Sequence, residues 1–210
     1  MQTELSYIYL VRKQCLIELK NSLISLFTES TDYVEEKMKK TLFALFVVMS
    51  LAGYSLADEM VIQVYLVTDQ GIGKNIGTVT ATDSEYGLIL IPQLSDLFPG
   101  IHGFHVHQNS DCSHATKDGK YVAALAAGGH YDPLKTGKHE GPYGKGHLGD
   151  LPALCAGGDG KATLPVVSPR LKVSDLKGRS LMIHAGGDNY SDYPEALGGG
   201  GTRFACGVIK

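Results

Sequence analysis

Nowhere in this 210-residue chain do lysine and arginine gather into a block, and the formal net charge is −3 at pH 7. A partner that binds through phosphate, whether nucleic acid or an anionic lipid surface, needs a basic footprint that is missing here. Glycine and proline are almost absent from the first 57 residues, which hold one of the 26 glycines and none of the 8 prolines. The chain therefore has two segments of different composition: a leader, and one domain long enough to bury a sizeable core. The apolar run from Thr41 to Gly53 is too short for a comfortable membrane span, and no cysteine comes directly after it to carry a lipid anchor. After residue 57 there is no long amphipathic helical pattern, and the turn-rich composition points to an all-β domain.

The leader divides at Met38. Residues 1–37 carry apolar runs such as Leu23 to Phe27, broken by charges, that could form helix. Residues 38–57 have the three parts of an export signal: basic Met38-Lys39-Lys40, the apolar run, and the small residues of Ser55-Leu56-Ala57 before Asp58. This predicts a signal peptide over 38–57, a true start at Met38 and a doubtful leader over 1–37 that would hinder export if translated. The domain is 58–210.

Short strands separated by turns fill the domain. Ile62, Val64 and Leu66 alternate with Gln63 and Tyr65; Thr78 to Thr82 is largely β-branched; Leu88 and Leu90 come after a turn containing Asp83, Ser84 and Gly87. Ala153 to Ala156 and Ala162 to Val167 flank a Gly157 to Gly160 turn and read as a hairpin, Ser180 to His184 and Phe204 to Ile209 as two more strands. Two long loops remain, Asn109 to Pro152 and Gly186 to Gly201. Compact domains seldom keep such loops without a functional reason.

Seven of the eight histidines fall between residues 102 and 150. Phe104-His105-Val106-His107 has the composition of a strand, in which residues two apart share a face, so His105 and His107 present two imidazoles together while Phe104 and Val106 enter a core. A lone His-x-His is commonly a surface or satisfied core pair. Here His130, His139, His147 and Asp150 lie downstream on one glycine-rich loop, and imidazole nitrogen with carboxylate oxygen is the donor set that zinc and copper accept.

The stretches Gly103 to His107, Gly129-His130-Tyr131-Asp132-Pro133, Gly146 to Pro152 and Gly198 to Ile209 resemble copper/zinc superoxide dismutase, in its secreted bacterial form, over roughly residues 60–210. The resemblance implies an eight-stranded Greek-key barrel or sandwich with two long ordered loops. It implies copper on His105, His107, His130 and His184, zinc on His130, His139, His147 and Asp150, and a carboxylate at Asp188 linking a copper histidine to a zinc histidine; otherwise Asp188 would merely cap its loop. It implies a disulfide between Cys112 and Cys206, with free buried thiols as the alternative, and leaves Cys155 unpaired. Arg203 matches the arginine beside the family's copper channel, the alternative being a surface salt bridge. His102 is expected to be structural, donating a hydrogen bond near the strand start, and His114 to be solvent-exposed.

The expected function is dismutation of superoxide to dioxygen and hydrogen peroxide in the periplasm, with His130 and Arg203 acting on the substrate. A homodimer is compatible with the resemblance, and no stable membrane insertion is expected once the signal is removed. The ligands alone also suit a copper/zinc buffer or metal chaperone, which would not need Arg203. A zinc hydrolase is less well served, since no ligand-free Glu stands in a base-like motif. If the export reading holds, the intact mass of protein recovered from the periplasm corresponds to a chain starting at Asp58; a product retaining Met1 or Met38 contradicts it.

Overall fold

The computed structural model describes residues 21, 36–43 and 59–210. The chain divides into two compact units, Met1–Leu56 and Ala57–Lys210. In the first, residues 36–43 are helical, with a Glu36–Lys40 ion pair of 2.8 Å one turn apart. This helix covers the basic start of the expected signal peptide; the rest of that segment, and Cys15 ahead of it, lie outside the described residues. Among the described residues no helix is long and apolar enough to cross a membrane.

The second unit is built from β1 (Glu59–Thr68), β2 (Gly71–Ser84), β3 (Gly87–Leu94), β4 (Gly100–His102), β5 (Phe104–His107), β6 (Ala115–Lys117), β7 (Lys120–Val122), β8 (Leu154–Ala156), β9 (Val166–Ser168), β10 (Ser180–His184) and β11 (Arg203–Val208). Seven of them form one antiparallel sheet in the order β5-β10-β11-β1-β2-β3-β9, while β4 pairs with β8 and β6 with β7. Only Gly103 separates β4 from β5, so the two are one interrupted strand and the barrel strands number eight, as expected; β6 and β7 are a small ribbon within the first long loop. Beyond β8, Ala162 bridges Leu94 of β3, which brings the β4–β8 pair round to the other end of the large sheet.

The core obeys the period-2 pattern of the strands. Ile62, Val64, Val79, Ala81, Leu88, Leu90, Phe104, Val106, Leu181 and Ile183 join one buried apolar cluster. In β1 the alternation slips at Tyr65, where the pairing with β2 shifts register. A bulge of this kind turns the next side chains over. Val67 is thereby buried in a second cluster with Cys112, Met182 and Cys206.

One expectation is corrected. Leu154–Ala156 and Val166–Ser168 do not form a hairpin: the turn exists, with Gly157 N–H donating to Lys161 C=O at 2.9 Å, but β8 pairs with β4 and β9 with β3. Adjacency in sequence suggested the pairing, whereas each arm has a longer-range edge to satisfy.

Cys112 and Cys206, 94 positions apart in the sequence, form the disulfide, with Cα atoms 5.8 Å apart. Cys155 is free and exposed. The bond fastens the first long loop to β11. Closing a loop of about 100 residues restricts the unfolded chain by about 4.7 kcal/mol in the entropy model, and removing a native disulfide commonly costs about 2–5 kcal/mol. The Cys112→Ser/Cys206→Ser double variant should therefore unfold at markedly lower denaturant concentration than the oxidised protein. An unchanged midpoint would mean the bond adds nothing that packing does not already supply.

Candidate metal centre

His105 and His107 project from β5, whose four residues are all buried, because the loop covers the face opposite the core. The loop returns alongside β5 like an extra strand: Tyr131 N–H donates to Val106 C=O and Val106 N–H to Gly149 C=O, both at 2.8 Å. This brings His130 opposite His107 and Asp150 opposite His105 as isolated bridges. At Gly149 an added Cβ would stand 2.3 Å from the Val106 carbonyl oxygen, so only glycine permits the approach. His184 ends β10, which pairs with both β5 and β11, and its register partner in β11 is Arg203.

His105, His107, His130, His139, His147, His184 and Asp150 are all buried. Buried polar atoms are normally hydrogen-bonded. Here His105 Nδ1, His107 Nε2, His139 Nδ1, His147 Nδ1, His184 Nε2 and Asp150 Oδ2 have no hydrogen-bond partner. The other nitrogens are held. His107 Nδ1 donates to Gly128 C=O at 2.9 Å and His184 Nδ1 to Gly201 C=O at 3.2 Å. Asp188 takes His105 Nε2 at 2.7 Å and His139 Nε2 at 2.8 Å. His139 Nδ1 and Asp150 Oδ2 lie 3.1 Å apart without hydrogen-bond geometry, close to the edge of about 3.3 Å in a tetrahedron with bonds of about 2.0–2.1 Å. A donor set of orphaned imidazole nitrogens and one carboxylate fits copper and zinc.

Two groups have their donor atoms within 4.8 Å of one another: His105, His107, His130 and His184, and His105, His130, His139 and Asp150. The first is the expected copper set. The second holds His105 where the zinc set has His147. His105 comes near both groups because its ring stacks on His130 with centroids 4.0 Å apart, but with Nε2 committed to Asp188 it has one nitrogen to give. His147 Nδ1, buried without a partner, lies beside the second group, 3.4 Å from Asp150 Oδ1.

Burial sets the charge state. It pushes His105 down to about 3 and His184 to about 4, and lowers His107 and His130 as well. Their lone pairs are therefore free at neutral pH. For His139 burial works in the same direction, yet the carboxylates of Asp150 and Asp188 outweigh it and raise the ring to about 9. Burial would raise Asp150 and Asp188, but the hydrogen bond from His130 and the adjacent His139 ring at the first, and hydrogen bonds from His105 and His139 at the second, hold both below the usual carboxylate range.

The Arg203 guanidinium donates to Ala124 C=O at 2.5 Å and Gly128 C=O at 2.6 Å, in place of the surface salt bridge that was the alternative. His102 is structural as expected: its ring nitrogens lie 2.8 Å from His184 C=O and 2.7 Å from Phe98 C=O. His114 is a correction. It is half-buried, edge-on to Tyr121 with centroids 4.8 Å apart, because the β6–β7 ribbon folds over it. Sequence reading missed Asp192, whose carboxylate accepts from His139 N–H at 2.8 Å and Leu197 N–H at 3.0 Å and so ties the two long loops together. It also missed Arg170; neither residue lies in a stretch with a recognisable local pattern.

The model of the copper/zinc superoxide dismutase family matches residues 75–209. This chain belongs to that family. The chain is 56% identical to superoxide dismutase [Cu-Zn] 2 of Salmonella typhimurium over 174 residues, which span 82% of this chain and all of the relative. The copper/zinc superoxide dismutase of Brucella abortus is similar in structure, with a TM-score of 0.72 and 54% identity over 73% of this chain and all of that one. The monomeric enzyme from Salmonella enterica, solved in solution, gives a TM-score of 0.67 and 58% identity over the same shares. As a family member the chain is an oxidoreductase that uses copper and zinc to dismute superoxide, and the buffer and hydrolase readings fall away.

The metal-free centre carries a pH signature. Imidazoles in the unfolded chain protonate near 6.5, whereas His184 and His105 stay neutral down to about 4 and about 3 when folded. The unfolded state then binds more protons across that window, and stability falls as pH drops through it. His139 acts oppositely: its contribution is complete below 6.5 and is lost as pH rises through about 9. Denaturant midpoints of the metal-free protein should be highest near neutrality and fall markedly by pH 4; a flat profile from pH 7 to pH 4 contradicts the assignment.

Proposed function

We propose that copper is held by His105, His107, His130 and His184 and zinc by His130, His139, His147 and Asp150, so that one imidazole serves both ions. The supporting observation is the set of buried nitrogens without partners, together with His130, whose Nδ1 lies 2.9 Å from Asp150 Oδ1 and whose Nε2 is left for the other group. When bound, copper supplies one-electron redox chemistry, and zinc, which has no redox activity, keeps its ligands in shape. The reaction consumes two superoxide ions and two protons and yields one dioxygen and one hydrogen peroxide.

His130 moves one of those protons: its Nε2 takes it up as the first superoxide leaves as dioxygen and gives it to the second as peroxide forms. The zinc group, to which His130 Nδ1 and Asp150 would both belong, would keep the ring in place meanwhile. Asp188 keeps the Nε2 protons of His105 and His139 in place, which turns both Nδ1 lone pairs inward. Arg203, anchored on two backbone carbonyls beside His184, remains charged and orients the small anion. With Lys117 it lines a cavity of about 630 Å³.

Export to the periplasm is the setting this reading favours. The match to the Salmonella typhimurium relative spans 174 residues, more than the domain of 58–210 holds, so it reaches into the stretch 38–57 that carries the export pattern. Both ligand groups are complete within one chain, and the homodimer that the resemblance allows is not needed to build the site.

Arg203→Ile tests the role of the fixed charge. Attraction between exposed charges weakens with salt, the Debye length shrinking from about 30 Å at 0.01 M to about 10 Å at 0.1 M. The variant should keep both metals, consume superoxide more slowly and show a flatter decline of rate with added salt. Wild-type rate with wild-type salt dependence would remove Arg203 from the mechanism.

A further inference from the structure

Arg170 lies outside both ligand groups, two residues past the end of β9. Its half-buried guanidinium reaches into the loop between His139 and His147. Nε donates to Pro142 C=O at 2.9 Å, one Nη to Gly146 C=O at 3.1 Å, and the other Nη to Gly141 C=O at 3.1 Å and His147 C=O at 2.6 Å. All four acceptors belong to one turn-rich stretch that contains Gly141, Gly144 and Gly146 and no helix or strand. Such a stretch has much conformational freedom to lose on folding.

His147 depends on this support more than the other zinc-side residues do. The His139 ring is held by Asp188 and its backbone by Asp192, and His130 sits against β5. The His147 ring lies 3.4 Å from Asp150 and edge-on to His130, with centroids 5.3 Å apart, but its Nδ1 makes no hydrogen bond; its backbone is held by Lys138 C=O, which accepts from its N–H at 2.8 Å, by a long bond of 3.4 Å from Asp150 N–H to its carbonyl, and by the Arg170 guanidinium at 2.6 Å. A positive charge beside a loop that binds a cation opposes binding through its charge alone. What Arg170 contributes is therefore the fixed directions of its fork, which collects carbonyls that a point charge on a flexible stem would not hold in register.

We propose that Arg170 is a positioning residue for zinc: it fixes the 141–147 segment, and through it His147, in the geometry that closes the zinc group. The proposal rests on the zinc ligand set given above. It extends that set to a residue that touches no metal.

Zinc and copper affinities of Arg170→Lys and Arg170→Met, measured on the full folded chain by chelator competition, test it, with the visible spectrum of cobalt(II) loaded into the zinc group as a second readout. Asp150→Ala serves as the reference for loss of a ligand. Partners that orient metal ligands are commonly worth about 10–100-fold in affinity. Both Arg170 variants should lose zinc affinity by about that factor, Lys included although it keeps the charge, with copper affinity close to wild type and an altered cobalt spectrum. Wild-type zinc affinity and spectrum in Arg170→Lys overturn the proposal. Equal losses of zinc and copper overturn it too, since they describe a general loosening of the fold. If Asp150→Ala itself retains zinc, the ligand set is at fault and Arg170 loses its assigned role with it.

Discussion

One carboxylate, Asp188, holds two histidines that the proposed ligand sets assign to different metals, and much of the centre is arranged to let it do so. It accepts from His105 Nε2 on β5 and from His139 Nε2 on the first long loop. Each bond sets the tautomer of the neutral ring, because a neutral imidazole that donates at Nε2 keeps its lone pair at Nδ1. Asp188 is itself held by the Tyr190 N–H at 2.7 Å. Across from it Gly198 has φ of +74°, and an added Cβ there would lie 2.0 Å from the carboxylate oxygen. The second long loop can pack this closely only with glycine at that position.

The same economy of anchors connects the disulfide to the substrate. Cys112 and Cys206 fasten the first loop to β11, and Arg203, three residues before Cys206, donates to Ala124 and Gly128 in that loop. Gly128 also accepts from His107 Nδ1. A covalent bond, a guanidinium and a metal-group histidine thus share one short segment of backbone. Reducing the disulfide should be felt at the copper side even though neither sulfur belongs to a ligand group.

Legibility in the sequence tracked the range of the interaction. The period-2 pattern placed His105 and His107 on one face because strand geometry is local. Loop composition placed His130, His139, His147 and Asp150 together without showing how they would meet; the pairing of the loop with Val106 does that, and no periodicity announces it. His184, Asp188, Arg203 and the disulfide came from family resemblance. The supposed hairpin around Gly157 failed because edge strands choose partners across the barrel, and His114 is covered because the residues between it and Tyr121 form a ribbon. Asp192 and Arg170 bind backbone groups, whose positions a sequence does not display.

In the proposed centre His130 separates two different ions, each with its own side of the ring. Diffraction from crystals of the metal-loaded protein, recorded on both sides of the copper and zinc absorption edges, tests it most directly. Anomalous copper signal should be confined to the group of His105, His107, His130 and His184, and zinc signal to the group of His130, His139, His147 and Asp150. Both signals in one group, or zinc coordinated by His105 with His147 unbound, would contradict it.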